Sequence, residues 1–356
     1  MGKLAVLKYV AAMFLTVQII LTIFTFVALF GGNVNPIGHS ARAMLVYILP
    51  LLLLGNAAML VYWIIRRKWL FALIPIITIA CCIPYIGTLW QFRSLDKSAE
   101  TQPGIKIATY NVHGFNRETS GFMAQDILAE MRRQNVDVLC IQEYNEVSGE
   151  KKNSDSYKEY FPYMAVGRED MVIYSRYPIK ASKKILFENT NNSAMWADID
   201  IKGDKIRVFN VHLQTTGING MQWRAAKLQK QGFEVRNNKF LEAIFGNYMF
   251  EMLLRAGQAD LIANEKRSSE KPVILCGDFN DVPYSYVYNT VLGNMVDGFK
   301  ECGSGWAQTF RGGKKAVRID YIFHDEVLQG LSYYKSELTY SDHYPVFMKL
   351  TFNKKK

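Results

Sequence analysis

The segment ILCGDFND, residues 274–281, ends an apolar run on a carboxylate and a carboxamide. Asp278 and Asn280 are two residues apart, so on an extended chain their side chains point to the same side. A carboxylate beside a carboxamide can hold water with one group and a phosphoryl oxygen with the other. A single acid at a strand end is usually a solvated turn residue, so this segment indicates a functional site only if other segments of the same kind accompany it.

Five more apolar runs end in polar side chains of the same kinds. They are ATYNVHGF (108–115), LCIQEY (139–144), FNVHLQ (209–214), RIDYIF (318–323) and SDHYPV (341–346). The six runs together supply Asn111, Glu143, His212, Asp278, Asn280, Asp320, Asp342 and His343. Hard divalent cations prefer oxygen ligands, and phosphoryl transfer uses such a cation with a base and neutralising donors. The pattern predicts metal-dependent hydrolysis of phosphoesters. Because none of the five cysteines has zinc-ligand spacing, the expected cofactor is Mg²⁺ or Mn²⁺.

The same part of the chain alternates between strand-like and helical stretches. Strands are expected at IKIATYN (105–111), VDVLCIQE (136–143), MVIYS (171–175), AMWADIDI (194–201), KIRVFNVHL (205–213), PVILCGDFN (272–280), RIDYIF (318–323) and HYPVFMKLTF (343–352). A short helix is expected at Gln125–Gln134, and longer helical stretches within residues 221–268. Strands separated by both tight turns and helices favour an α/β sandwich with mixed sheets.

The first 92 residues contain no Asp or Glu and include three uncharged apolar stretches, Tyr9–Phe30, Ala43–Ile65 and Trp69–Phe92. Each is long enough to cross a hydrocarbon core of about 30 Å. Their number argues against buried core helices, and their length against a cleavable signal peptide. The expected organisation is a membrane module with three transmembrane helices at residues 1–92, a linker at 93–104 and a catalytic domain at 105–356.

The basic residues of the membrane module predict its orientation. With three spans, five of them fall on the side of the N-terminus: Lys3, Lys8, Arg66, Arg67 and Lys68. The opposite loop carries only Arg42. The positive-inside rule places the larger set in the cytoplasm. We therefore expect a multi-pass protein of a bacterial inner membrane, with a periplasmic or otherwise extracytoplasmic catalytic domain.

At these motifs the chain resembles the endonuclease/exonuclease/phosphatase superfamily, which includes abasic-site endonucleases, DNase I-like nucleases, neutral sphingomyelinases and inositol-polyphosphate 5-phosphatases. The resemblance is carried by IQE, GDFN, RIDYIF and a late SDHYPV in the family's order, and it covers roughly Ile105–Phe352. It implies a four-layer α/β sandwich with two stacked mixed β-sheets and a metal site at one sheet edge. It also implies that Glu143 is the principal metal ligand with Asn111 as a helper. Asp342 is a candidate for contact with a second metal or a metal-bound water.

The resemblance assigns the remaining motif residues to catalysis. It gives Asp278 to water activation and Asn280 to phosphate binding. Asp320 and His343 match the family's Asp–His pair, in which the carboxylate orients and charges the imidazole. His212 is expected to stabilise the transition state or to protonate the leaving oxygen. Whether Asp278 or His343 takes the proton of the water, and whether one metal ion or two are bound, stays open.

Three further residues are candidates for substrate binding. His113 and Arg117 follow Asn111 in a loop that could contact a substrate phosphate or could be an ordinary polar loop. Asn210 shares one strand face with His212, because the two are two residues apart.

The sequence narrows the substrate without naming it, because a fold does not choose a substrate. The residues after Phe92 carry 36 basic and 32 acidic side chains, a weak footprint for nucleic acid. Together with membrane tethering, this favours a phosphodiester or phosphomonoester at the membrane, such as a lipid headgroup. The alternative is a membrane-tethered nuclease acting on DNA or RNA. Residues 217–268 suit either an interfacial segment or a helical cap. A non-catalytic binding module is disfavoured because no motif residue is missing. Nothing in the sequence indicates an oligomeric state.

Overall fold

A computed structural model describes residues 3–94, 96–114, 122–144, 157–168, 171–217, 221, 230, 237–312 and 316–353. The chain divides into two compact units. The helical unit consists of Met1–Thr88 and Val282–Asn289, and the sandwich unit of Leu89–Asp281 and Thr290–Lys356.

Apolar helices form most of the helical unit. They are α1 Lys3–Gly31, α2 Ser40–Met44, a 3₁₀ turn Leu45–Ile48, α3 Leu49–Ile65, α4 Trp69–Cys81 and α5 Ile83–Leu89, whose last residue lies in the sandwich unit. Two stretches, Val6–Gly31 and Ser40–Ile65, are long and apolar enough to cross a membrane. The third predicted span differs from expectation because it is broken. Helices α4 and α5 meet at an angle of 51°, and Pro84 cannot continue the hydrogen-bond ladder across the break.

A network of neutral polar side chains joins the apolar helices. Asn56 on α3 accepts a hydrogen bond from Gln18 Nε2 at 3.0 Å and donates to Thr25 Oγ1 at 2.9 Å, both on α1. The hydroxyls of Thr22 on α1 and Thr78 on α4 are 3.3 Å apart. Groups that would be costly to leave unsatisfied in an apolar bundle therefore connect α1, α3 and α4.

The described part of the sandwich unit contains two six-stranded mixed sheets and one short two-stranded ribbon. The strands are β1 Trp90–Gln91, β2 Ile105–Asn111, β3 Val138–Gln142, β4 Tyr163–Val166, β5 Met171–Ser175, β6 Ile179–Leu186, β7 Ser193–Ile201, β8 Asp204–His212, β9 Val273–Asp278, β10 Val296–Asp297, β11 Gly305–Trp306, β12 Asp320–His324, β13 Leu328–Lys335 and β14 Val346–Phe352. One sheet has the order β13-β14-β2-β3-β5-β4 and the other β10-β12-β9-β8-β7-β6. The ribbon pairs β1 with β11.

Alternating apolar residues on the strands pack the two sheets against each other. Ile107, Cys140 and Ile173 of the first sheet and Val208 and Ile322 of the second belong to one core cluster of fully buried side chains. The opposite face of the first sheet packs against helix α6 Phe122–Arg133. The other described helices of this unit are α7 Asn237–Arg267, α8 Tyr286–Leu292, shared with the helical unit, and α9 Gly298–Cys302. The expected α/β sandwich with two mixed sheets is confirmed.

The stretch after the apolar helices differs from a free linker. Trp90 and Gln91, expected at the end of the third span, instead form β1. The Arg93 guanidinium donates to the carbonyl oxygen of Lys300 at 2.8 Å and also to that of Glu301. Residues Lys97–Glu100 form a 3₁₀ turn. The boundaries 1–92, 93–104 and 105–356 stay a prediction, and the contacts favour a start of the sandwich unit near Leu89.

Candidate active site

The sheet topology brings the predicted residues to one end of the sandwich. Strands β2 and β3 are parallel, as are β8 and β9, so the carboxyl ends of each pair meet at the same edge. Strand β12 is antiparallel to β9 and begins opposite its end, with Asp320 facing Asp278. The His343 loop precedes β14, which is antiparallel to β2.

Asn111 connects the two carboxylates at the centre of the cluster. Its fully buried amide nitrogen donates to Glu143 Oε1 and to Asp278 Oδ2, each at 3.0 Å. Its carbonyl oxygen accepts from the backbone N–H of His113 at 3.0 Å. One carboxamide thus offsets the repulsion between two acids and fixes the loop that follows β2.

Glu143 is held in its charged form. It lies just beyond β3, and its backbone φ is positive, at 53°. Residues other than glycine seldom adopt this conformation unless the surrounding structure holds them in it. Burial opposes ionisation, but hydrogen bonds from His113 and Asn111 and the nearby His212 lower the pKa of Glu143 to about 2. The same hydrogen bond between His113 and Glu143 raises the pKa of His113, and the nearby negative charge of Asp342 raises it further.

His343 lies between two aspartates. Its Nδ1 is 3.0 Å from Asp320 Oδ2, and its Nε2 is 3.7 Å from Asp278 Oδ2. Burial disfavours the charged ring, yet Asp320 and Asp278 raise the pKa of His343 to about 10. Burial raises the pKa of Asp278 to about 6, against the opposing effect of His343. The predicted Asp–His pair is therefore present, and the imidazolium form is the favoured one.

Asn280 and His212 border Asp278 on its other sides. The backbone N–H of Asn280 donates to Asp278 Oδ1 at 2.8 Å, and its side-chain amide donates to the Leu213 carbonyl at 3.0 Å. His212 Nε2 is 3.9 Å from Asp278 Oδ2 and 3.8 Å from Glu143 Oε1. The Asn280 amide also donates to Asp278 Oδ2 at 3.3 Å, so it could give a hydrogen bond to a phosphoryl group in exchange for this long contact, and His212 Nε2 could give another.

The structure does not bring Asn210 to the surface of the site. Its side-chain amide donates to the carbonyls of Ile141 at 2.9 Å and Val172 at 3.0 Å, and its oxygen accepts from Gln142 at 2.6 Å. It is fully buried, so it links the two sheets beneath the site and has no exposed atom for a substrate. The expected substrate contact therefore does not fit the geometry. Arg117 lies outside the described residues.

Arg255 and Gln258, which hold two loops behind the site, were not predicted from the sequence. Arg255 on α7 is fully buried, lies 3.5 Å from the carboxylate of Asp281 and donates to the Gln214 carbonyl at 3.1 Å. Gln258, one turn along, accepts from the backbone N–H of Gln214 at 2.8 Å. Helix α7 thus holds the segments that follow His212 and Asn280. An arginine and a glutamine three residues apart in a helical stretch were the only sequence signal.

The donor set fits a hard divalent cation. Glu143 and Asp278 present carboxylate oxygens on either side of one carboxamide, and no described cysteine lies in the cluster. Asp342 Oδ1 is buried and has no hydrogen-bond partner among the described atoms, and His113 Nδ1 lies 3.6 Å from it. Asp278, Asp320 and His343 also lie close enough together to hold an ion, but His343 Nδ1 already faces Asp320.

Known proteins resemble this chain in two places. A model of the endonuclease/exonuclease/phosphatase family matches residues 108–343, and a model of a domain of unknown function matches residues 11–89. No curated protein matches.

Solved structures resemble about 70% of this chain. The endonuclease/exonuclease/phosphatase from Beutenbergia cavernae superposes with a TM-score of 0.50 at 16% identity, over 70% of this chain and 72% of that one. A mannosyl-6-phosphatase from Bacteroides thetaiotaomicron gives 0.47 at 19%, over 70% and 100%. Sphingomyelinase C from Streptomyces griseocarneus gives 0.43 at 16%, over 70% and 99%. Identities this low speak to the fold alone.

Proposed function

The chain belongs to the endonuclease/exonuclease/phosphatase family, and we propose that it is a divalent-metal-dependent phosphoesterase that acts at a membrane. The observation that carries the proposal is the meeting of Glu143, Asp278 and the Asp320–His343 pair around the amide of Asn111. Such a set combines metal-binding oxygens, a proton acceptor and a positive charge in one cluster.

Each residue has a task in hydrolysis. Asp278 accepts the proton of the attacking water, because its carboxylate lies at the centre of the donors. His343 acts as a cation that stabilises charge on the phosphoryl group, since Asp320 and Asp278 hold its ring in the protonated form. His212 and Asn280 donate to phosphoryl oxygens or to the leaving oxygen.

Glu143 is the leading ligand for Mg²⁺ or Mn²⁺, with Asp278, Asn111 and Asp342 nearby. When bound, the ion polarises the phosphoryl oxygens and neutralises charge that develops on them. The hydrogen bond from His113, the nearby His212 and the hydrogen bond from Asn111 lower the pKa of Glu143 and so keep its carboxylate ionised for this role.

The substrate we propose is a phosphodiester in or beside the bilayer, with a lipid headgroup as the preferred class. Two helices of the chain could cross a membrane, so diffusion of the site would be limited to the membrane surface. The second candidate is DNA or RNA. Membrane tethering and the nearly balanced charge of the residues after Phe92 favour the lipid.

The test is a hydrolysis panel with the purified full-length chain in detergent or vesicles. Phospholipids, single- and double-stranded nucleic acids and a soluble phosphodiester are offered with Mg²⁺, with Mn²⁺ and with EDTA. We expect EDTA to abolish turnover and Glu143→Gln to lower it. Full turnover in EDTA, or in Glu143→Gln, would contradict the metal-dependent mechanism. DNA cleavage without release of lipid headgroups would select the nuclease.

A further inference from the structure

An exposed aromatic surface lies where the sandwich unit begins. Trp90 and Trp306 have 41% and 45% of their surface exposed, and Phe92 has 90%. The rings of Trp90 and Trp306 are 5.9 Å apart, and those of Trp90 and Phe92 are 6.3 Å apart. Adjacent exposed aromatic side chains commonly mark an interaction site, and we call this surface the aromatic platform.

The backbone holds the platform together. Trp90 pairs with Trp306, and Gln91 with Gly305, in the ribbon of β1 and β11. The N–H of Ala307 donates to the Leu89 carbonyl at 2.9 Å, which continues the pairing to the end of helix α5. Gly305 has a positive φ of 66°, which lets the loop turn Trp306 toward Trp90 without strain.

We propose that the aromatic platform rests in the interfacial layer of the lipid bilayer and docks the sandwich unit on the membrane surface. Helix α5 belongs to the apolar pair that could enter a membrane, and the platform begins one peptide bond after it. Tryptophan and other amphipathic aromatic side chains concentrate at the headgroup level of membranes. Arg93, next to Phe92, adds a positive charge suited to anionic headgroups.

The platform also lies close to the catalytic cluster along the chain. Thr309 is three residues after Trp306, so the two residues are at most about 10 Å apart, the length of a fully extended chain of three residues. Its hydroxyl accepts from the backbone N–H of Asp320 at 3.0 Å, and the Phe310 ring lies 4.8 Å from the ring of His343. Docking at Trp306 would therefore present the active site to phosphoesters of the headgroup layer. This consequence rests on the proposed function, whereas the docking itself does not.

The experiment measures tryptophan quenching by lipid. The full-length chain is reconstituted in phosphatidylcholine–phosphatidylglycerol vesicles, with or without bromine atoms near the glycerol end of the acyl chains. The fluorescence difference between wild type and Trp306→Phe reports Trp306. The matched control is Trp196→Phe, because Trp196 packs on the Arg207 guanidinium at 3.6 Å and donates to Glu265. We expect brominated lipid to reduce the Trp306 signal at least about twofold and to leave the Trp196 signal unchanged.

Equal Trp306 signals in the two kinds of vesicle would overturn the docking. A chain carrying Asp278→Asn should give the same quenching as wild type, so the result does not depend on hydrolysis. If wild type hydrolyses phospholipid, Trp306→Ala with Phe92→Ala should lower that turnover several-fold and spare a soluble phosphodiester. An equal loss on both substrates would contradict docking. Quenching by a chain that hydrolyses no substrate of the hydrolysis panel would refute the proposed function and leave the docking proposal intact.

Discussion

Asp278 is the residue on which the contacts of the site converge. Its oxygens accept from the amide of Asn111 and from the backbone of Asn280, and the Nε2 atoms of His212 and His343 lie within 3.9 Å. A residue so placed can accept a proton while its neighbours hold the phosphoryl group. Its neighbours also explain why burial does not simply neutralise it.

We expect Asp278→Asn to lower turnover at least about a hundredfold, since a proton acceptor in this position typically contributes that much. The substitution keeps the shape of the side chain, so the fold should be unchanged by circular dichroism. Asp204→Asn, at an exposed position at the start of β8, is the matched control and should keep full turnover. Retention of more than a tenth of wild-type turnover in Asp278→Asn would contradict the assignment.

We expect His343→Ala to cause a loss of similar size, at least about a hundredfold, because the ring carries the positive charge next to Asp278. The comparison with Asp320→Asn separates charge from position. Asp320→Asn keeps a hydrogen-bond partner for Nδ1 but removes the charge that keeps the ring protonated. Steady-state rates on the substrate from the hydrolysis panel measure both. Equal rates in wild type and Asp320→Asn would show that Asp320 does not act through its charge.

At the scale of single elements, most strands could be predicted from the sequence. The runs IKIATYN and MVIYS correspond residue for residue to β2 and β5, because both strands are buried along their whole length and most of their residues are apolar. Edge strand β6 could not be predicted in this way. Its sequence IKASKKIL is largely exposed, so it lacks the apolar pattern that marks a strand.

The residues of the candidate site also fall into those that could be predicted from the sequence and those that could not. Residues at strand ends were predictable, because the chain order of parallel strands fixes which ends meet. The buried position of Asn210 was not, because two residues on one strand face can lie at different depths beneath a site. Arg255 was not predictable either, since its partners are a carbonyl and a carboxylate from two distant loops.

Helix α7 should stabilise the two segments that follow His212 and Asn280 through Arg255. Arg255→Met leaves the buried carboxylate of Asp281 without this partner, so we expect the free energy of unfolding of the sandwich unit to fall by about 3 kcal/mol. Arg267→Met changes an exposed arginine on the same helix and should have little effect. Thermal unfolding and hydrogen exchange at residues 213–214 measure the change. Unaltered exchange at these residues in Arg255→Met would contradict this role of Arg255.

The apolar helices should depend on their polar network in a comparable way. Asn56→Ala removes the hydrogen bonds that link α3 to Gln18 and Thr25 on α1, and we expect a cost of about 1 kcal/mol. Thr16→Ala is the control, because the Thr16 hydroxyl is exposed and donates within its own helix to Ala12. Thermal stability in detergent measures both. Equal stability of the two variants would show that the network does not hold the helices together.

At the scale of the whole molecule, the number of spans decides which side of the membrane holds the active site. Three spans would put the sandwich unit opposite the N-terminus, and two would put it on the same side, with α4 and α5 entering and leaving one face. The basic residues Arg66–Lys68 should lie in the cytoplasm in either case. The side reached by the C-terminus therefore depends on the bent pair alone.

We expect α4 and α5 to form the third span, which places the sandwich unit outside the cytoplasm. Fusions truncated after Lys68 and full-length fusions after Lys356 test this in one bacterial host. Alkaline phosphatase should be inactive after Lys68 and active after Lys356, and a reporter that folds only in the cytoplasm should show the reverse. Alkaline phosphatase that is inactive at both fusion points would establish two spans and a cytoplasmic active site. An enzyme facing the cytoplasm would have nucleotides and nucleic acids within reach, so that outcome would also make the nuclease the leading candidate. The aromatic platform would still meet a headgroup layer, because helix α5 ends at a membrane surface in both arrangements.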